Sequence, residues 1–81
     1  MLKPGMVMDW HSTRSREELL IVLTGRVRVE TAHAGNALTS SYSRMILTSG
    51  QCALLPTHLL HRVVNPSSRT ARYIYVTAPA P

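Results

Sequence analysis

Short runs in which apolar and polar residues alternate extend along most of the chain. In the run Arg26–Thr31, Val27 and Val29 alternate with charged residues, which is typical of a half-exposed β-strand. Further strands are predicted over Met6–Trp10, Glu18–Leu23, Leu38–Ser43, Met45–Leu47, Cys52–Leu55, His61–Asn65 and Arg72–Thr77. No stretch combines the i, i+3, i+4 apolar spacing of an amphipathic helix with helix caps. The pattern therefore predicts an all-β sandwich or barrel of short strands.

Glycine and proline mark the connections between these strands. The pair Gly35-Asn36 suits a two-residue hairpin of type II′, and Pro66–Thr70 is predicted to be a turn. Pro56 ends the strand that precedes it, because proline cannot donate to a sheet ladder. We expect the tail Ala78–Pro81 to be frayed.

The run Glu18–Leu23 differs from the others because both of its faces are apolar after the glutamate. Leu20 and Val22 lie on one face, and a barrel interior can cover only one face of a strand. We therefore expect a homodimer formed by sheet packing or strand exchange. The alternative is a monomer in which the loop Ala37–Ser43 covers the second face.

The length of the chain limits its core. Its 81 residues predict one small domain, residues 1–81, which buries only about 60–65% of its unfolded surface. Cys52 is the only cysteine, so a disulfide cannot support this core, and a metal ion or oligomerisation remains. No apolar run reaches the roughly 18 residues of a transmembrane helix, and Met1–Gly5 lacks an apolar signal-peptide region. We expect a cytoplasmic protein without a membrane partner.

The formal net charge is +5, mainly from arginine. The arginines are spread along the sequence, and no aromatic residues interleave with a basic run as a nucleic-acid stacking platform would require. We therefore expect a solvated surface with a positive bias and no nucleic-acid partner. A further possibility is that the positive field attracts anionic substrates.

Two groups of glycine, histidine and other polar residues have defined internal spacings. In the first, five residues separate Gly5 from His11, Thr13 follows two positions later, four residues separate Thr13 from Glu18, and six separate Glu18 from Gly25. The second group contains Gly50, Pro56, His58, His61 and Asn65. Here five residues separate the glycine from the proline, His61 lies five positions after the proline, and the asparagine lies four positions after His61.

This arrangement resembles the two motifs of the cupin superfamily, and the resemblance covers nearly the whole chain. It implies a small double-stranded β-helix, or jelly-roll cupin barrel. The chain departs from the family pattern at two positions. Thr13 stands where the family has its second histidine, and His58 stands where it has the glycine after proline.

The resemblance implies that His11, Glu18 and His61 converge near one end of the barrel and hold a divalent metal. Two imidazoles and one carboxylate are the ligand set of non-haem iron, and they also accept manganese, nickel or zinc. The alternative for Glu18 is an ion pair with an arginine at the rim of the barrel. A metal-free barrel whose motif residues are structural remains the alternative for the whole group.

Other residues are candidates for a ligand pocket. The Thr13 hydroxyl could donate a hydrogen bond to a metal-bound water. His58 has three interpretations: the missing third imidazole, an acid or base at the mouth of the pocket, or an exposed loop residue. Leu20, Val22 and either Tyr73 or Ile74 would line the barrel wall and set the shape of a substrate.

Two functions follow from these expectations. The first is a metal-dependent enzyme that acts on a small molecule, such as a dioxygenase, isomerase or decarboxylase. The second is a metal-free cupin module that binds a small molecule or has a structural role, without catalysis. The sequence leaves open whether the protein is an enzyme, and a basic nucleic-acid accessory protein ranks last.

Overall fold

A computed structural model describes residues 1–33 and 43–79. These residues form seven β-strands: β1 Val7–Ser12, β2 Arg16–Thr24, β3 Arg26–His33, β4 Ser43–Thr48, β5 Cys52–Leu55, β6 Leu59–Val64 and β7 Arg72–Pro79. The described part of the chain contains no helix, and therefore none that could span a membrane. The prediction of an all-β protein is confirmed.

The strands form two antiparallel sheets that pack face to face as a jelly roll. One sheet has four strands in the order β1-β6-β3-β4, and the other has three in the order β5-β2-β7. Because strands that are distant in sequence lie side by side, the fold brings β1 against β6 and places β2 on the opposite sheet. The core between the sheets contains Leu2, Leu20, Val22, Val27, Val29, Leu47, Ala53, Leu55, Val63 and Ala71.

The alternation along β2 determines which side chains reach this core. Leu20 and Val22 point inward and are fully buried. Leu19 and Ile21 point outward and are half-buried, and Leu23 is 50% exposed. The predicted cover of the outer face of β2 by a second copy stays a prediction, and the alternative cover, the loop Ala37–Ser43, lies outside the described residues except for Ser43.

Other strand predictions need correction or cannot be compared. The strand predicted over Met45–Leu47 was expected to be buried, but only Leu47 is. Ile46 is exposed because it faces outward, whereas Met45 shares the face of Leu47 and is exposed on an edge strand. The predicted frayed tail is wrong for Ala78 and Pro79, which pair with β2 as the end of β7. The predicted hairpin at positions 35–36 and the predicted strand at positions 38–42 lie outside the described residues.

Two motif residues hold the connections between strands. Gly25 joins β2 to β3 with a φ of +84°, and an added Cβ there would lie 2.9 Å from the Cα of Ala71. Asn65 is fully buried after β6, and its amide nitrogen donates hydrogen bonds to the carbonyl oxygens of Leu2 and Arg69. Its side-chain oxygen accepts hydrogen bonds from the backbone and hydroxyl of Ser67. These contacts fix the position of β6.

Candidate metal centre

Two histidines face each other across the ladder of β1 and β6. His11 is the register partner of His61, after an irregularity in β1 between Met8 and His11. Their ring centroids are 4.0 Å apart, and the ring planes are inclined by 62°. His61 is 1% exposed, whereas His11 is only half-buried. The pair therefore has one ring in the barrel interior and one at its opening.

The opposite sheet contributes a carboxylate to the same place. Glu18 lies on β2, on the same inward face as Leu20 and Val22, and is buried. Its Oε2 atom lies 3.0 Å from Nε2 of His61. The candidate ligand atoms of His11, Glu18 and His61 all lie within 4.8 Å of one another. The structure therefore brings together the three residues that the motif spacing selects.

Backbone carbonyl groups orient both imidazole rings in the same way. Nδ1 of His11 lies 3.0 Å from the carbonyl oxygen of Asp9, and Nδ1 of His61 lies 3.4 Å from that of Leu59. A carbonyl oxygen can only accept a hydrogen bond, so each contact requires the proton to be on Nδ1. In a neutral ring, Nε2 is then an unprotonated donor atom for a metal ion.

The surroundings of His61 favour a neutral ring. Burial, followed by the neighbouring His11, lowers the pKa of His61, against the opposing effect of the Glu18 carboxylate. A neutral His61 with its proton on Nδ1 turns the Nε2 lone pair towards Oε2 of Glu18, which is also an acceptor. Two acceptors at 3.0 Å are stabilised by a proton or a cation bound between them.

The ion pair with arginine that was the alternative for Glu18 is not formed. Within residues 1–33 and 43–79, the ion-pair partner of Glu18 is His61, and no arginine lies within 4.0 Å of its carboxylate. The donor set of two imidazole nitrogens and one carboxylate suits Fe, Mn, Ni or Zn. Since His11 is only half-buried, a rotation of its side chain can adjust its distance to an ion held by the other two residues.

Thr13 is buried but has a different role from the predicted one. Its hydroxyl donates a hydrogen bond of 2.7 Å to the carbonyl oxygen of Pro56 and accepts one of 3.0 Å from the backbone N–H of Leu59. The single hydroxyl proton is therefore committed to the backbone. The predicted hydrogen bond from this hydroxyl to a metal-bound water does not fit this arrangement, because Thr13 joins two loops instead.

His58 is exposed and lies outside the group of three candidate ligands. Its φ is +57°, and its backbone N–H donates a hydrogen bond of 2.7 Å to the carbonyl oxygen of Arg14. This conformation suits glycine, which explains the glycine in the motif pattern at this position. Of the three interpretations of His58, the structure favours the exposed loop residue.

The predicted pocket residues lie at different depths. Leu20 and Val22 belong to the packed core, whereas Tyr73 is half-buried against it and Ile74 is 47% exposed on the outer face. The Tyr73 hydroxyl donates a hydrogen bond of 3.7 Å to the sulfur of Met8. Burial, followed by Tyr75 and Glu18, raises the pKa of Tyr73, so the phenol is protonated at neutral pH.

Sequence reasoning missed several features. A shallow depression of about 260 Å³ lies mainly on the outer side of the three-stranded sheet, lined by Glu17, Glu18, Leu19, Leu54, Val76 and Ala78. It does not coincide with the two histidines. The carbonyl acceptors of Asp9 and Leu59 were also missed, and residue type carries no signal for them, because every residue has a carbonyl group. The contact between Tyr73 and Met8 depends on the packing of distant strands.

A model of the cupin domain family matches residues 1–77, so the chain belongs to the cupin family. The predicted family membership is confirmed, and with it the jelly-roll cupin fold. No curated protein matches the sequence.

Solved cupin-like structures agree with this assignment. BH2720 from Bacillus halodurans is 20% identical with a TM-score of 0.84, over 99% of this chain and 58% of that protein. TT1209 from Thermus thermophilus is 28% identical with a TM-score of 0.79, over 99% and 68%. CENP-C of Drosophila melanogaster, solved bound to CAL1, is 16% identical with a TM-score of 0.84, over 95% and 60%. The chain thus spans 58% of BH2720 and 60% of the CENP-C structure. Because both are less than 25% identical to this chain, the similarity shows the fold alone.

Proposed function

We propose that this cupin binds one divalent transition metal ion (Fe, Mn, Ni or Zn) through His11, Glu18 and His61 and acts on or binds a small molecule there. The observation that carries the proposal is the contact of 3.0 Å between Nε2 of His61 and Oε2 of Glu18. Nδ1 of each ring faces a backbone carbonyl, which leaves the Nε2 atoms for an ion beside the Glu18 carboxylate. A cation bound there would be held by all three side chains.

The three ligands and the residues around them would have different roles. Three protein ligands leave coordination positions open for a small molecule. A metal ion in this position supplies Lewis acidity or activates dioxygen, which is the chemistry of the dioxygenase-like, isomerase-like and decarboxylase-like possibilities. His11, the half-buried ligand, lies at the opening through which a small molecule would reach the site.

Tyr73 is the pocket residue best placed to orient that small molecule. It is half-buried, and its hydroxyl donates to the thioether of Met8, which is a weak acceptor. A carbonyl or carboxylate oxygen of a small molecule is a stronger acceptor and would displace the sulfur. Leu20 and Val22 would instead close the inner end of the pocket, since both are fully buried in the core.

A metal-free binding or structural module is the second candidate function. It is favoured by Thr13, which replaces the second motif histidine and whose hydroxyl is bonded to backbone groups. The CENP-C relative, which was solved bound to CAL1, gives a precedent for a cupin that associates with another protein. In this alternative, the buried contact between Glu18 and His61 carries a proton and has only a structural role.

We also propose that the chain forms a homodimer through the outer face of the three-stranded sheet. This face carries exposed or half-exposed apolar side chains on all three strands: Leu19, Ile21, Leu23, Leu54, Ile74 and Val76. A contiguous apolar face of this kind is typical of an interaction site. A second copy is the simplest partner, because a two-fold axis would place the same apolar face on both sides of the interface.

Metal titration tests the main proposal. Protein purified without an affinity tag should contain about one metal ion per chain, or bind one on titration with Fe(II), Mn(II), Ni(II) and Zn(II) in a calorimeter. We expect Glu18→Gln and His61→Ala to weaken binding by more than about 100-fold, because each removes a direct ligand. Glu17→Gln and His58→Ala are matched controls, since they change the same residue types outside the ligand group. Equal, negligible binding by all five proteins would favour the metal-free module.

A further inference from the structure

The outer face of the four-stranded sheet holds one carboxylate surrounded by three guanidinium groups. Glu30 on β3 is the register partner of Arg44 on β4 and of Arg62 on β6, and Arg28 lies two residues earlier on the same face. Nε of Arg44 lies 3.0 Å from Oε2 of Glu30, and Nε of Arg62 donates a hydrogen bond to Oε1. Nε of Arg28 lies 3.7 Å from Oε2. Glu30 is only 1% exposed because these side chains cover it.

This arginine face, defined as Arg28, Arg44 and Arg62, carries three positive charges around one carboxylate. The sequence contains four acidic residues: Asp9, Glu17, Glu18 and Glu30. Glu18 belongs to the interior, and Glu17 lines the depression on the other sheet. Even with Asp9 counted in addition to Glu30, the face has a positive excess.

We propose that the arginine face is a docking surface for an acidic peptide segment of another protein. The side chains of Arg28, Arg44 and Arg62 are 36%, 62% and 28% exposed, so a partner can reach all three. Glu30 holds them in place, which reduces the entropy lost when they bind a carboxylate. Planar guanidinium groups bind carboxylates through two parallel hydrogen bonds, and arginine clusters recognise acidic motifs in this way.

The geometry of the sheet fits an extended peptide. Arg28 is the diagonal neighbour of both Arg44 and Arg62, and such neighbours in a sheet are about 7–8 Å apart. Alternate side chains of an extended chain are about 6.6–6.8 Å apart and point the same way. Two acidic residues at positions i and i+2 of a peptide can therefore meet two of these arginines together.

A nucleic acid is the other polyanion that such a face could attract. Single-stranded nucleic acids require aromatic rings on which bases stack. Trp10 is the one tryptophan, tyrosine or phenylalanine on the described strands of this sheet, and the guanidinium of Arg62 already lies over its ring, 5.0 Å from the centroid. The observations therefore favour carboxylates over nucleotides, and the experiment separates the two.

Fluorescence anisotropy tests the proposal with a labelled peptide of alternating Glu and Ser. A peptide of alternating Gln and Ser and an oligothymidylate of equal length are the comparison probes. We expect the acidic peptide to bind at about 50 mM salt and to weaken at about 200 mM, while the Gln peptide does not bind. No binding of the acidic peptide, or tighter binding of the oligonucleotide with loss in the arginine variants, would overturn the proposal.

Charge-matched variants separate the arginine face from net charge. Arg28→Gln combined with Arg44→Gln should weaken binding of the acidic peptide by about tenfold or more, because a charge-assisted hydrogen bond is lost at each position. Arg14→Gln combined with Arg69→Gln removes the same charge from exposed turns and should change affinity by less than about twofold. Equal losses in the two double variants would mean attraction by net charge alone.

Glu30→Gln distinguishes binding by positioned arginines from attraction by net charge, because the two predict opposite changes in peptide affinity. It raises the net charge by one, so attraction by net charge would strengthen peptide binding. If Glu30 positions the three arginines, its loss weakens binding despite the added charge. Thermal melting shows whether the variant is folded. If it is not, the two double variants at exposed or half-exposed arginines decide the question.

Discussion

His11 and His61 are cross-strand partners whose rings lie 4.0 Å apart and whose Nδ1 atoms both face a carbonyl oxygen two residues earlier in the chain. The backbone therefore binds both histidines through Nδ1, which leaves Nε2 of each ring available to a metal ion. Glu18, from the opposite sheet, lies against one of these atoms. A ligand that bridges them would join the two sheets.

The first prediction is that a bound metal stabilises the fold because it links β1, β6 and β2. At a free metal concentration of about 100 times Kd, the free energy of unfolding should rise by about 2.7 kcal/mol. For a chain of this size, this corresponds to a rise in Tm of roughly 10–20 °C, which a chelator should reverse. The measurement is thermal melting with and without metal, and His61→Ala should show no rise. A rise of equal size in His61→Ala would place the ion elsewhere.

The second prediction concerns Thr13, whose hydroxyl joins Pro56 to Leu59. Thr13→Val keeps the shape but leaves the part-buried carbonyl of Pro56 and N–H of Leu59 without this partner, so it should lower the free energy of unfolding by about 1–3 kcal/mol. Metal affinity should change by less than about twofold, because the hydroxyl proton does not reach the ion. Urea unfolding and metal titration measure the two effects, with Thr70→Val, at an exposed position before β7, as control. A tenfold loss of metal affinity would show instead that Thr13 contributes to the metal site.

The strands could be predicted because alternation is a local property. The alternation of Val27 and Val29 with charged residues marks β3, and the observed bounds extend the predicted run by only two residues. The burial of β4 could not be predicted, since whether Met45 and Ile46 are covered depends on the neighbours of an edge strand. Whether the outer face of β2 is covered in a homodimer likewise depends on a partner that the sequence of one chain does not specify.

The candidate site could be predicted in part. Only the family spacing connected His11, Glu18 and His61, because no local pattern shows that β1, β2 and β6 meet at one end of the barrel. The role of Thr13 depends on where a distant carbonyl lies. The arginines around Glu30 were missed, although the sequence places Arg28 and Glu30 on the same face of one strand. The other two, Arg44 and Arg62, come from strands whose register with β3 cannot be read from the sequence.

The third prediction is that His58→Gly stabilises the protein. A non-glycine residue with φ of +57° costs about 1–2 kcal/mol, and glycine regains part of this at the expense of greater freedom in the unfolded chain. We expect the free energy of unfolding to rise by about 0.5–1 kcal/mol, measured by urea unfolding. Ser68→Gly, at an exposed turn position without a positive φ, should destabilise the chain instead. Loss of metal binding in His58→Gly would show that His58 is a ligand after all.

The fourth prediction concerns the acid stability of the Glu30 cluster. Burial alone would raise the pKa of Glu30, but the hydrogen bond and charge of Arg62, with the charges of Arg28 and Arg44, outweigh burial and hold it below the ordinary value of 4.5. The unfolded state therefore binds more protons than the folded state near this pH. The stabilisation is present above about pH 4.5 and is lost as the pH falls through the folded-state pKa.

Comparison with Glu30→Gln isolates this effect. Wild type should be more stable than Glu30→Gln near neutral pH, and the difference should shrink as the pH falls from about 6 to about 3, because a protonated Glu30 resembles glutamine. Urea unfolding at a series of pH values gives the difference. A difference that does not depend on pH would mean that the cluster stabilises the fold by packing rather than by charge.

The fifth prediction concerns the outer face of the three-stranded sheet. Leu54, on the edge strand β5, is 63% exposed and belongs to an apolar surface that includes Leu19 and Val76. Leu54→Lys places a charge in the proposed dimer interface, where burial of an unpaired ammonium is costly, so it should shift the protein from dimer to monomer. Sedimentation velocity at micromolar concentration measures the change. Ile46→Lys is the matched control, since Ile46 is 49% exposed on the other sheet and should leave the dimer intact.

The two variants together distinguish an interface from a general effect of added charge. Each adds one positive charge to a chain that already carries +5, so repulsion between chains increases equally in both. Dissociation only in Leu54→Lys locates the interface on the three-stranded sheet. Dissociation in both would point to repulsion, and dissociation only in Ile46→Lys would move the interface to the four-stranded sheet. A wild-type protein that sediments as a single chain would contradict the homodimer and would favour the alternative, a monomer in which the loop Ala37–Ser43 covers the second face.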